Sequence, residues 1–474
     1  MIYPTLLYNL KILALLSSFV VVLISLNVVS TPVIRSDDRS AYKPNTEEQL
    51  FLDDLKLRTF NFFWDTADPI TWQSDDRFPN KTFTSIAATG FALPAYIIGV
   101  ENNYISREEG TNRVLAVLEW LEQSKQGATE FGTTGYKGFY YHFLTYGDGV
   151  RYKDVELSTI DSALLFGGII AAMEYFDGQS PEEARIRALS EKLFERVDWQ
   201  WAMNNAKTMS MGWKPESGFI KSTWTGYNEA MLLLVLAMGS PTYPLDDNAW
   251  QDWTETYEWD EFYGYEHVNF GPLFGHQYSQ MFIDFRGIQD EYMQAKNLDY
   301  FQNSRLATLA NRAYCIDNPN NFKGYSAQIW GLTACDGPFN GIKEIDGKDV
   351  HFQTYSARGA ASDYLVDDGT IAPTAVGGSI PFAPEYCIPT LLAMKNIYGV
   401  KLYQKYGFLD SFNPTWQPST WVAEDYLGID QGALLIQLEN YHSSLIWDLM
   451  KKNKYVLSGL KRAGFNGGWL NENQ

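Results

Sequence analysis

The feature that most constrains this chain is the alternation of two kinds of helical segment from Leu52 onward. Apolar residues recur at three- and four-residue spacing, the period of helices, and alternating strand patterns are sparse. One kind of segment, SREEGTNRVLAVLEWLEQS and SPEEARIRALSEKLFERVDW, carries a charged face and belongs at a surface. The other kind, SIAATGFALPAYIIG, STIDSALLFGGIIAAM and YNEAMLLLVLAMG, is apolar all round and rich in Ala and Gly. A helix without a polar face must be buried on every side, and small residues let its neighbours come close. The spacing predicts helices over about 50–65, 84–99, 106–124, 158–176, 181–202, 226–239, 246–257, 274–288, 299–315, 325–334, 385–398 and 429–452. Outer and inner helices in alternation, about twelve in all, fit an all-α, double-layered (α/α)6 barrel forming a single large domain. No fixed period of the solenoid kind runs through the chain.

The first 49 residues stand apart. From Ile12 to Val29 the sequence ILALLSSFVVVLISLNVV has no charge, and the polar stretch RSDDRSAYKPNTEEQ follows. Residues 1–30 read as an export signal or an uncleaved membrane anchor, 31–49 as a linker, 50–455 as the helical domain and 456–474 as a C-terminal tail. Export to the periplasm, the cell surface or the medium is the expectation. Only Cys315, Cys335 and Cys387 are present, widely spaced, which gives neither a disulfide framework nor a CxxC metal site.

Charge narrows the partners. With 37 Lys+Arg against 57 Asp+Glu the net charge is −20, which opposes a nucleic-acid partner or docking on anionic lipid and suits a neutral ligand. Membrane association would come only through the N-terminal segment, and a monomer is expected. The five His residues show no HxH or HExxH spacing, and no GxSxG elbow, P-loop or dinucleotide fingerprint occurs. The site therefore calls for no metal and no cofactor.

Chemistry gathers instead where the buried helices begin. Glu156, Ser158, Thr159 and Asp161 precede ALLFGG; Trp224, Tyr227, Asn228 and Glu229 precede AMLLLVLAMG; His276 and Gln277 open the segment that ends at Asp284 and Arg286; Asp430 and Gln431 precede ALLIQL. If the inner helices run the same way, these starts converge on one mouth. Ordinary capping accounts equally well for Ser158, Thr159 and Asp430, and a satisfied core pair for His276 and Gln277. Capping explains Glu156 and Glu229 less well. Carboxylates beside aromatics, of which the chain has 15 Trp, 30 Tyr and 28 Phe, suit cleavage of a neutral sugar polymer. That reaction needs a protonated acid at the leaving oxygen and a second carboxylate. Most of the aromatics simply fill the core.

At these residues the chain resembles the bacterial glucoamylase-like family that includes the β-1,2-glucanases. The segments that carry the resemblance are VELSTIDSALLFGGI, WTGYNEAMLLLVLAMGSPTYP, PLFGHQYSQMFIDFRG, YFQNSRLATLANR, YSAQIWGLTACDGP, DDGTIAPTAVGGSIPFAPE and LGIDQGALLIQLENY, spread over about residues 50–455. The resemblance implies an (α/α)6 barrel, export, no metal, and attack on β-1,2-linked glucose chains, either internally or by releasing sophorose from an end. Matched to the family's acidic positions are Glu156, Asp161, Glu229, Asp336 and Glu385. The roles it suggests are Glu229 as general acid and Asp161 or Glu156 as the group that activates water, with an inverting outcome. Trp224, Tyr227, His276, Gln277, Arg286, Asp336 and Glu385 are the expected sugar-binding residues. The competing readings are a glycan-binding protein without turnover, and a hydrolase or transglycosylase of the same fold acting on another linkage.

Overall fold

The computed structural model describes residues 42–472, so the apolar run 12–29 and its two readings lie outside the described residues. Helices occupy α1 (Thr46–Thr66), α2 (Ile86–Glu101), α3 (Arg107–Gln123), α4 (Thr159–Tyr175), α5 (Pro181–Glu195), α6 (Trp199–Ala202), α7 (Ala230–Met238), α8 (Ala249–Thr254), α9 (Phe274–Phe282), α10 (Glu291–Lys296), α11 (Tyr300–Asp317), α12 (Pro373–Gly377), α13 (Pro384–Tyr398), α14 (Gly428–Ser443), α15 (Leu445–Met450), α16 (Lys454–Arg462) and α17 (Gly468–Glu472). Among the described residues none is long and apolar enough to cross a membrane.

The apolar segments are the buried ones. All nine residues of α7 are buried, as are fourteen of the sixteen in α2. These helices touch in sequence, α2 with α4, α4 with α7, α7 with α9, α9 with α14, and α14 again with α2. The short α12 packs on α14 and is tied to α9 where the Gln277 amide donates to Ala375 O (2.8 Å). A second set lies against them: α1 on α2 and α14, α3 on α2, α5 on α4, α16 on α7, α11 on α9 and α13 on α12. The segments with charged faces fall in this second set. In α3 only the stripe including Val114, Val117, Leu118 and Leu121 is buried. Capping starts many of these helices: Asn45 and Glu48 form a reciprocal capping box on α1, and Ser85 accepts from Ala88 N–H on α2.

α2 and α4 approach backbone to backbone. A Cβ added at Gly90 would lie 2.5 Å from Leu164 O and 2.6 Å from Leu165 Cα, both backbone atoms that no side-chain rotation can move. Gly90→Ala must therefore push the two helices apart, and a loss of about 1–3 kcal/mol or more is expected. A fall in the urea midpoint with unchanged slope would show it; an unchanged midpoint would mean that the helices yield freely.

The structure corrects the sequence reading in several places. The protein is mostly helical with several small sheets, so it is not purely all-α. The stretches between the expected helices contain short antiparallel ladders, such as Trp259–Phe262 with Tyr265–Val268 and Gly341–Ile345 with Lys348–Phe352. Strands of two to five residues are too short for their alternation to register in the sequence. The helix expected over 325–334 does not form. Trp330 is buried there instead, its indole donating to Thr390 Oγ1 (2.9 Å). Residues 456–474, read as a tail, include most of α16, whose Val456, Gly459 and Leu460 are buried against α7. The three cysteines are buried and form no disulfide.

Candidate active site

A cavity of about 490 Å³ opens where the buried helices begin. Five helix starts line it: Ser85 and Ala87 of α2, Ile160, Asp161 and Leu164 of α4, Glu229 ahead of α7, Phe274 and Tyr278 of α9, and Leu427 and Ile429 of α14. Connecting segments complete the wall with Asp76, Arg77, Phe83, His142, Phe143, Ala334 and Tyr355. The lining is largely apolar and aromatic with a few converging polar groups, the usual make-up of a small-molecule site.

Short strand pairings set these segments in place. Phe83–Ser85, which leads into α2, pairs with Phe143–Thr145, and Leu157–Ser158, which leads into α4, pairs with Tyr140 and Tyr141. His142 lies between. Ile86 N–H donates to its carbonyl (3.3 Å) and its own N–H donates to Glu156 O (3.0 Å).

Glu229 is the outstanding acid. Its Oε2 is buried without a hydrogen-bond partner. Burial, with a smaller push from the Asp161 charge, raises its carboxyl from the usual range to about 7. It can therefore hold a proton in a cavity near neutral pH. Asp161 is buried in the first turn of α4; its N–H donates to Ser158 Oγ (3.2 Å), and the Ser158 hydroxyl donates back to its carboxylate. Burial raises Asp161 as well, and the His142 charge opposes the rise. The His142 ring places Nδ1 2.8 Å from Glu156 Oε1 and Nε2 3.6 Å from Asp161 Oδ1.

A second acidic group lies beneath Arg77. Arg77 reaches Asp336 Oδ2 (3.1 Å), Asp76 Oδ2 (3.3 Å) and Asp425 Oδ2 (3.6 Å). Burial raises Asp76 to about 6 against the opposing charges of Arg77 and His142. Asp336 N–H donates to Asp410 Oδ2 (2.7 Å). Asp410 and Asp430 face each other as buried carboxyls; burial and then the Asp336 charge raise Asp410 to about 7, while burial and the Asp410 charge raise Asp430. Like charges this close leave room for a shared proton. Among the described residues no group of three or more His, Cys, Asp and Glu side chains is arranged to hold a metal ion.

The structure thus brings Glu229 and Asp161 into one cavity, with Glu156 immediately behind it on His142 and Asp336 at its edge on Arg77. The other sequence candidates lie elsewhere. Trp224 is buried and donates to Thr159 Oγ1 (2.9 Å), tying the approach to α7 onto the start of α4. Tyr227 and His276 pack ring against ring in the core (4.8 Å), and burial drives the His276 imidazole down to about 3, so it is neutral. Gln277 spans α9 and α12, also donating to Ser379 Oγ (2.8 Å). Arg286, beyond the far end of α9, forms a two-pronged pair with Asp284 (2.6 Å) above the Trp447 ring. Glu385, in the first turn of α13, pairs with Arg305 (2.5 Å). None of these six lines the cavity.

Asp76, Arg77, His142, Tyr355 and Asp410 were not picked out from sequence. His142 is the next-to-last residue of the aromatic, Gly-rich stretch GYKGFYYHF, whose only signal is a titratable residue flanked by strand formers. Asp75-Asp76-Arg77 carries a signal of the same weak kind, a charge run ahead of a buried helix.

The family model Glycoamylase, described as "Putative glucoamylase", matches residues 221–454. A crystal structure of the same description from Bacteroides uniformis ATCC 8492 is 32% identical, with a TM-score of 0.78; the match covers 90% of this chain and all of that one. An endo-β-1,2-glucanase from Chitinophaga pinensis, solved with sophorotriose and glucose, is 28% identical, with a TM-score of 0.76; that match covers 89% of this chain and 99% of the other. An exo β-1,2-glucooligosaccharide sophorohydrolase of Parabacteroides distasonis is 28% identical over 454 residues, 88% of this chain. This chain spans 58% of that relative's length.

Proposed function

Because the chain belongs to the glucoamylase-like family, we propose that it is a glycoside hydrolase acting on β-1,2-linked glucan, with its buried helices closing an (α/α)6 barrel. The observation that carries the reading is Glu229, a buried carboxyl that keeps its proton to about pH 7 and faces the same cavity as Asp161. Glu229 donates its proton to the glycosidic oxygen as the C–O bond breaks, and Asp161 takes a proton from the water that attacks the anomeric carbon. Phe83, Phe143, Phe274, Tyr278 and Tyr355 give the cavity an aromatic wall for the sugars. The substrate assignment draws on the relatives from Chitinophaga pinensis and Parabacteroides distasonis, whose names specify β-1,2-linked substrates.

Incubation with β-1,2-, β-1,3-, β-1,4- and α-1,4-glucans, with the products sized, tests the assignment. Release of short oligosaccharides from β-1,2-glucan alone is expected. Cleavage of another linkage, or binding without new reducing ends, would reject it. Inversion belongs to the same reading, checked by NMR of the first anomer released. So does export, checked by cell fractionation, and so does a monomer, checked by light scattering.

The acid's titration fixes the basic side of the pH profile. Glu229 is raised, so its protonated form persists below about pH 7 and is lost above it. kcat/KM is expected to fall about tenfold per pH unit beyond that point. A profile flat to pH 9 would remove Glu229 from the acid's role.

A further inference from the structure

We propose that His142 is a positioning residue, a fixed cation that keeps Asp161 ionised in a buried site; the proposal rests on the reading of Asp161 as the base. The backbone of His142 is pinned on both sides, by Ile86 N–H from the start of α2 and by Glu156 O ahead of α4. Its ring stacks on Phe143 with centroids 3.9 Å apart, which leaves both nitrogens directed at carboxylates. Nδ1 hydrogen-bonds Glu156 and Nε2 stands at ion-pair distance from Asp161, an arrangement that the imidazolium, with an N–H at each nitrogen, serves on both sides.

The surrounding charges point the same way. His142 faces Asp161 and Glu156 from the start of α4 and Asp76 from the segment before α2. Lys214 faces Glu156 from behind. Asp161 is faced by the Ser158 hydroxyl, Glu156, Glu229, Asp76 and Tyr278, which are acids or neutral groups, so the cation among these neighbours is His142. Burial opposes the His142 charge, but Asp161, Glu156 and Asp76 outweigh it and raise the ring to about 9. The ring therefore stays charged below that pH, across the whole range in which Glu229 still carries its proton.

An opposite charge within about 4–6 Å lowers a carboxyl by about one to three units. In the full chain, His142→Gln is expected to move the acidic limb of kcat/KM upward by that amount, on the order of a tenfold loss or more at a given pH on that limb, with the basic limb unmoved. A loss equal at every pH, or none, would overturn the proposal. A measurement on the unaltered protein needs no variant to fold: with 13C-labelled histidine, one of the five imidazoles is expected to stay protonated to about pH 9, and its titration to fall in Glu156→Gln. If every imidazole has lost its proton by pH 8, the proposal fails. Asp161→Asn separates the two claims. Retained turnover there rejects Asp161 as base, whereas an inactive Asp161→Asn together with an unmoved limb in His142→Gln rejects only the role of His142.

Discussion

Glu229→Gln is expected to lower kcat on β-1,2-glucan by about 10²–10⁴-fold, the usual worth of a positioned general acid, while KM changes little. Glutamine matches the protonated carboxyl in shape and in hydrogen-bond capacity, so the cavity and its sugar contacts are kept. Only the transferable proton is lost. That pattern, kcat and kcat/KM falling together, identifies an interaction made in the transition state. A variant with near-normal turnover would eliminate Glu229 as the acid.

The same substitution carries a stability signature. The Glu229 carboxyl rises from 4.5 to about 7 on folding, so the folded state holds a proton that the unfolded chain has released. Stability from this group is unaffected below pH 4.5, declines as pH rises through the interval, and above pH 7 is reduced by about 3 kcal/mol at 1.36 kcal/mol per unit. Glutamine has no such titration. Glu229→Gln should therefore match the parent in urea unfolding at pH 4.5 and exceed it at pH 8. Equal stability at both pH values would mean that the carboxyl is better solvated than its buried, unpartnered oxygen implies. Loss of activity with gain of stability is the trade expected where a site keeps a strained group for its chemistry.

Why Glu229 and Asp161 were legible in the sequence while His142 was not follows from how each reaches the cavity. A polar residue ahead of MLLLVLAM has no solvent to face, so its presence there signals a purpose. Yet a helix start projects side chains in every direction, and sequence position alone does not say which points inward. Asp161 and Leu164, three residues apart, share the cavity face. Tyr227, His276 and Gln277 occupy equivalent starts but are turned into the seams between helices. Glu385 begins an outer helix rather than an inner one, and Arg286 lies past the end of its own. His142 arrives through pairing of segments about sixty residues apart, Phe83–Ser85 with Phe143–Thr145, and Arg77, with Asp76 beside it, through pairing of Arg77–Phe78 with Tyr426–Leu427. Three-residue strands leave no periodic trace, so those residues could be found only once the pairing was known.

Asp368→Asn is expected to be the most damaging single change away from the cavity. Arg358 is completely buried and pairs with Asp368 through two contacts, Nε to Oδ1 (2.8 Å) and Nη2 to Oδ2 (2.7 Å). Removing one partner of a buried pair strands the other charge, which costs about 3–5 kcal/mol. Asparagine keeps the size of Asp368 and one oxygen, so any loss reports the charge and the acceptor taken from Gln353 N–H or Thr370 N–H, and not a cavity. Burial raises Asp368, but Arg358 outweighs it and the carboxyl lies below its usual value. The contribution is therefore present above the ordinary carboxylate range and disappears only on acidification. Substituting both partners with apolar residues, which rescues some buried pairs, is not expected to work here. The guanidinium also donates to Cys335 O (2.7 Å), Gln353 O (2.7 Å) and Thr354 O (3.2 Å), and these carbonyls would be left without a donor. Those carbonyls belong to the chain that carries Ala334 and Tyr355 into the cavity wall and Asp336 onto Arg77. Asp368→Asn should thus raise KM for the glucan as well as lower the urea midpoint. An Asp368→Asn protein within 1 kcal/mol of the parent, or one destabilised with KM unchanged, would show that the Arg358 pair does not hold this wall.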